Sequence, residues 1–142
     1  MEETLLVPNL LVTTQQNMEA YFATHDPKYV AEDGIFINLA TGEKTHGREA
    51  VGQLLHHIYH VAFDAHAELS NHFISADKAM IEGYFVGKHI GEFAGLPPTQ
   101  KNVRVPLCVT YTLADGLIKE ARIYMMVNVM LEQLTGKQDD RK

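Results

Sequence analysis

The chain has 142 residues, 46% hydrophobic and 21% charged, which fits one globular domain long enough to bury a single core. A formal net charge of −6 argues against nucleic acid or an anionic membrane as partner. The lone cysteine, Cys108, leaves no intrachain disulfide or cysteine-cluster zinc site. No apolar run approaches the roughly 20 residues of a membrane helix. The first residues, MEETLLVPNLLVTT, lack the basic start of a signal peptide, so a cytoplasmic setting is expected.

The first half reads as helical. Residues 9–24 form the first predicted helix, with Pro8 before it, Asn9 as its N-cap, and Leu10, Leu11, Met18, Tyr21 and Phe22 at helical spacing. His25 precedes Asp26-Pro27, an N-cap followed by an N1 proline, which starts a short helix running to about Glu32. An extended run, Gly34 to Leu39, ends in a turn at Thr41-Gly42. Residues 48–62 carry the clearest stripe: Val51, Leu54, Leu55, Ile58 and Ala62. His57 lies at its edge and can reach a pocket rim, and Tyr59 on the other flank reads as core. His56 and His60, four apart, face away from the stripe without a third ligand, so no metal site is expected.

The second half reads as strands. Ala65 to Ser75 precedes a turn at Ala76-Asp77-Lys78. Ala79 to Phe93 carries Gly83, Gly87 and Gly91, a spacing that marks bends or the close approach of another element. His66 and His72 sit on the first of these strands with no face assigned. A Gly/Pro loop fills 94–102. Val103 to Leu113 and Leu117 to about Val129 flank Asp115-Gly116, a strong hairpin signal. Helices followed by strands predict an α+β domain. The tail after Gly136 is charged and is expected to fray.

The last strand has two unlike rows. Glu120, Arg122, Tyr124, Met126 and Asn128 alternate with Ala121, Ile123, Met125, Val127 and Val129. An ordinary half-buried strand turns its polar row to water.

Five pieces in order resemble the SnoaL-like polyketide cyclase family, also called ester cyclases, of the nuclear-transport-factor-2-like superfamily. They are Gly87-Lys88-His89-Ile90-Gly91-Glu92-Phe93, Gly95-Leu96-Pro97-Pro98-Thr99, Asp115-Gly116, Arg122-Ile123-Tyr124 and Leu131-Glu132-Gln133-Leu134. The first half agrees more loosely, through His25-Asp26-Pro27, Gly47-Arg48-Glu49-Ala50 and Phe63-Asp64. The resemblance implies a single domain over 1–142, with its core at about 10–135. It also implies a cone-shaped curved antiparallel sheet with the N-terminal helices on its concave face, a largely apolar pocket and often a dimer. Cyclases of this family use an aspartate as base in an intramolecular aldol closure; spacing back from Gln133 puts that position at Met126.

On the resemblance the polar row turns into the cone. Glu120 and Arg122 then pair near its mouth, and Met126 joins them as a substrate contact. A two-residue hairpin turn sets Tyr111 opposite Glu120, Val109 opposite Arg122 and Leu107 opposite Tyr124, so these three join the wall; a bulge would shift that register by one. The apolar row, Ile123, Met125 and Val127, then lies outside and calls for a homodimer. His89 reads either as a structural histidine or as the base in place of the missing acid, with Tyr124 and Asn128 holding an enolate oxygen. The expected ligand is a small, largely apolar carbonyl compound, with no cofactor. Two functions stay open: proton-transfer catalysis of the aldol or isomerase kind, and non-catalytic binding.

Overall fold

The computed structural model describes residues 2–136, with side chains from residue 10; the charged segment 137–142 lies outside the described residues. In chain order the elements are α1 (Glu2–Thr24), a 3-10 turn (Pro27–Tyr29), β1 (Val30–Asn38), β2 (Lys44–His46) and α2 (Arg48–His56). A π-helical turn (His57–Val61) follows, then β3 (Phe63–Ile74), β4 (Lys78–His89), β5 (Asn102–Ala114), β6 (Leu117–Met125) and α3 (Val127–Thr135).

The α+β expectation holds. One curved six-stranded sheet, in the order β2-β1-β6-β5-β4-β3, carries α1 and α2 on its concave side. The sheet is mixed rather than purely antiparallel, because β1 pairs with β6 in parallel. Residues 39–116 run between these two strands, and such a long connection does not impose the antiparallel pairing that a hairpin does.

Local signals explain most elements. The Asp26 side chain accepts from the Lys28 amide at 2.9 Å, as an N-cap does, but β1 starts at Val30, so this helix is a single turn. Asp115 and Gly116, at φ 53° and 78°, form the tight turn that an Asp-Gly pair favours. α1 begins at Glu2 rather than Asn9, which places Pro8 within its second turn. Further along, α1 is tied to two sheet turns: Thr14 donates to the Ala76 carbonyl at 2.9 Å and Asn17 to that of Gly116 at 2.8 Å. Arg48 Nε donates to the Val30 carbonyl at 2.7 Å and fixes the start of α2 against β1. The glycine signal in β4 marks close approach: a Cβ on Gly83 would lie 1.9 Å from the Glu68 carbonyl oxygen.

The two-faced strand ends earlier than its alternation suggests. The chain leaves the sheet at Met126 and turns into α3, where Met130 and Leu134 are buried at helical spacing and Gly136, at φ 78°, closes the helix. Gln133 docks that helix on β5: its amide accepts from the Arg104 N–H at 2.8 Å and donates to the Arg104 carbonyl at 2.9 Å.

Two bulges decide which side chains face inward. On β6, Ala114 opposes Leu117 and Leu113 opposes Ile118, but Thr112 opposes Glu120, leaving Lys119 as an extra residue. Beyond it Tyr111 opposes Ala121, Val109 opposes Ile123 and Leu107 opposes Met125. Ile118 and Ala121, three apart, are therefore both fully buried on the concave side. A similar irregularity at Ser70 in β3 separates the two unassigned histidines. His66 pairs beside Val86 on the convex side, whereas His72 aligns with Ile81 on the concave side and packs edge-on against Phe22.

Candidate functional site

The concave face and its helices enclose a cavity of about 340 Å³. β5 supplies Leu107, Val109 and Tyr111, although they oppose Met125, Ile123 and Ala121 rather than the polar row expected to carry them inward; β4 adds Ile81 and Phe85, and β6 adds Ile123 and Met125. The wall is completed by Val127 of α3, Phe36 of β1, Phe22 of α1, and Leu55 and Ile58 from α2 and its π-turn. Glu43, His57, Glu92 and Ala94 line it too, but they are exposed and so form its rim.

The polar row does not enter this cavity. Glu120, Arg122 and Tyr124 lie on the convex face, because the Lys119 bulge moves the even positions of β6 to the side opposite Tyr111. Glu120 and Arg122 do pair, with Nη1 to Oε2 at 3.4 Å, but in solvent rather than at a mouth. Tyr124 is 45% exposed and sits beside the Arg122 guanidinium, whose pKa it and Glu120 raise. Met126 is 48% exposed at the N-terminal end of α3, and Asn128 is exposed in the first turn of that helix. Neither reaches the cavity, because the strand that was to carry them inward has ended. Ile123, Met125 and Val127, expected on an outer dimer face, line the cavity instead, so the argument for a homodimer from that row lapses.

His89 is fully buried but does not line the cavity. Its Nδ1 lies 3.0 Å from Thr99 Oγ1 and accepts from the Thr99 backbone N–H at 3.2 Å. Its ring packs 5.1 Å from that of Phe63, which in turn packs against Phe93 of the cavity wall. An accepting Nδ1 puts the proton of the neutral ring on Nε2, which has no hydrogen-bond partner among the described residues. This geometry clasps the two ends of the 90–100 loop and corresponds to the structural reading of His89.

Polar groups occupy the inner end of the cavity. Tyr111, expected in the wall, is buried there with Tyr21, Tyr59 and the predominantly buried His25, whose place in the site sequence reasoning missed. The Tyr21 and Tyr111 rings meet edge-on at 6.1 Å. His25 stacks on Tyr59 at 4.3 Å and 16°, and meets Tyr21 edge-on at 5.2 Å. Among the described residues no protein group hydrogen-bonds these three hydroxyls, and none of them is fully enclosed, since His89 Nε2 is the one fully buried side-chain atom left unpaired.

Burial raises the Tyr59 phenol to about 12 and pushes those of Tyr21 and Tyr111 well above their usual range, with repulsion among the phenols adding to it. All three are neutral donors at physiological pH. Burial, helped by the nearby His60, lowers the His25 imidazole to about 4, so it too is neutral. Tyr59 is set by the π-turn, a distortion of the expected regular helix that brings Ile58 and Tyr59 to the same cavity. His25 takes φ 54°, unusual for a residue with a Cβ. The signal that could have found it was its position between a helix end and an Asp-Pro cap.

His56 and His60 have rings 5.5 Å apart, yet no group of three or more His, Cys, Asp or Glu among the described residues could hold a metal ion. No described helix is long and apolar enough to cross a membrane.

The chain belongs to the SnoaL-like polyketide cyclase family, whose model matches residues 13–134. Its fold is that of a putative SnoaL-like polyketide cyclase from Jannaschia sp. CCS1, with a TM-score of 0.78 at 17% identity over 88% of this chain and 93% of that one. A putative polyketide cyclase from Silicibacter sp. TM1040 aligns at 0.74 and 21% identity, over 84% of this chain and 93% of that one. A phenazine biosynthesis-related protein from Pseudomonas aeruginosa aligns at 0.75 and 19% identity, over 91% and 89%. No curated protein matches the chain. At these identities the likeness carries the fold alone.

Proposed function

We propose that the cavity binds a small, largely apolar carbonyl compound and promotes proton transfer on it, of the kind needed for aldol-type cyclisation or isomerisation. The observation that carries this reading is the set of three buried, unpaired phenols opening on an otherwise apolar cavity. Their hydroxyls have no protein partner yet stay accessible, so they are free to donate to a ligand. A ligand oxygen can accept from them, and an enolate oxygen accepts more strongly, because charge strengthens a hydrogen bond in a dry site. The phenols, not Tyr124 or Asn128, take the oxygen-holding role.

Size narrows the ligand. An apolar void of about 150 Å³ takes one benzene-sized ring, so a cavity of about 340 Å³ has room for roughly two. The matching test uses ring number. Cyclohexanone and β-tetralone should raise the Tm, a ketone of four fused rings should not, and Tyr111→Phe should weaken β-tetralone binding about tenfold, as for one lost hydrogen bond. A Tm indifferent to every ketone refutes the reading.

A non-catalytic binder is the second reading. What favours it is the absence of a carboxylate from the inner wall: the lining acids Glu43 and Glu92 are exposed, and Glu92 already accepts from the Gly95 N–H at 2.8 Å.

A further inference from the structure

We propose that His25 is the proton acceptor of this cavity and passes its proton outward through the groove behind it. This rests on the carbonyl-ligand reading above.

Of the histidines near the cavity, His89 is held by Thr99 behind Phe63, and His57 is exposed at the rim. His25 alone among the described residues combines a place at the inner end with direct packing on two of the phenols. Its ring has no hydrogen-bond partner among the described residues, so a nitrogen lone pair is free to accept. The backbone fixes it from both sides: the His25 N–H donates to the Tyr21 carbonyl at 2.6 Å, and the Asp26 cap follows at once. A left-handed backbone conformation at a residue with a Cβ persists where the surroundings enforce it, commonly at functional positions.

His25 also lines an outer groove on the far side of the Tyr59 stack, where Asp26, His56, His60 and His66 are the other titratable groups. It thus stands between the closed end of the cavity and a solvent-facing set of histidines. The groups around it are Tyr21 of α1, Tyr59 and His60 of the π-turn, His56 of α2 and Asp26 beside it; His66 of β3 borders the groove with its side chain turned to the convex face beside Glu68.

The step balances without a co-reactant. A ring nitrogen of His25 takes the proton from the carbon next to the ligand carbonyl. The electron pair of that C–H bond becomes the enolate double bond, and the negative charge moves to the oxygen held by the phenols. Reprotonation at another carbon gives an isomer; attack of the enolate carbon on a second carbonyl gives an aldol alkoxide, which takes the proton from the imidazolium. Burial disfavours the imidazolium in the empty site. The enolate beside it supplies the opposite charge that favours it, so the acceptor strengthens as the reaction proceeds.

The test is exchange of the α-protons of β-tetralone in deuterated water, followed by proton NMR, alongside binding by thermal shift. His25→Asn suits the purpose because asparagine tolerates the left-handed backbone and cannot act as the base. Exchange should fall about a hundredfold in His25→Asn, the scale of one general base, with binding changed less than threefold. His46→Gln, at the exposed end of β2 and outside the cavity lining, should stay within twofold of the unaltered protein. The pH dependence of kcat/KM in the unaltered protein should fall off only near pH 4. Exchange in His25→Asn within twofold of the unaltered protein overturns the role of His25 and leaves the cavity reading intact. Binding without any exchange above buffer overturns the proton-acceptor role as well. Failure of β-tetralone to bind overturns the cavity reading, and this inference with it.

Discussion

The two faces of one sheet use the same strands for opposite ends. The concave face presents Phe85, Leu107, Val109, Tyr111, Ile123 and Met125 to the cavity. The convex face carries Glu68, Tyr84, Arg104, Glu120, Arg122 and Tyr124, joined by ion pairs and by Arg104 stacked 4.0 Å over the Tyr84 ring. Polarity therefore does not mark function here. The charged row that looks like an active site is a solvated surface, and the apolar row that looks like an interface is the wall of the pocket. The groups suited to chemistry are few, neutral and buried, and they come mainly from the helices and the turn after α1.

Substitutions at adjacent positions break this contrast most directly. Phe85 and Tyr84 are neighbours on β4 that point to opposite faces. Phe85→Ala removes a fully buried ring and should cost about 3–5 kcal/mol in denaturant unfolding. Tyr84→Ala loses a surface stack and should cost about 1 kcal/mol. Equal losses would mean that the two faces are not distinct in burial.

The second effect comes from His25. Its folded pKa of about 4 lies below the ordinary histidine value of about 6.5, so the unfolded chain binds its proton first as pH falls. Stability is full above pH 6.5, declines as pH falls toward 4, and stays level in this respect below that. The shift amounts to roughly 3 kcal/mol. The difference in unfolding free energy between pH 7 and pH 4.5 should shrink in His25→Asn, and an unchanged slope would place His25 in water. The exposed carboxylates of Asp33 and Glu68, held low by Lys119 and Arg104, act below this window.

The smallest effect separates the two rows of β6. Met125→Asp puts a carboxylate into the apolar wall and should weaken β-tetralone binding tenfold or more. Tyr124→Asp, one residue away, should leave binding unchanged. A reversed outcome would restore the inward polar row.

The α+β class, the Asp115-Gly116 turn and the crowded glycines of β4 were legible because each depends on local periodicity or backbone preference. Leu107, Val109 and Tyr111 reach the cavity only because two departures, the shifted register and the reversed facing of β6, cancel. The facing of β6 was not, although its residues alternate cleanly. One extra residue, Lys119, inverts the pairing, and nothing in its side chain announces it. α3 was hidden for a related reason: Val127, Val129 and Met130 suit a strand as well as a helix, and docking of Gln133 on β5 goes with the helix.

The sequence by itself determined the family, the α+β class and a mostly apolar pocket. These follow from patterns that a chain carries along its length. Only the tertiary structure decided which row of β6 met that pocket and which polar groups came with it. Tyr21, His25, Tyr59 and Tyr111 are spread over about ninety residues; Tyr111 reads as pocket wall, and each of the others alone reads as core or turn. Their common character is the absence of a protein partner at one end of one cavity. That is a property of distance and enclosure, which alternation and spacing do not encode.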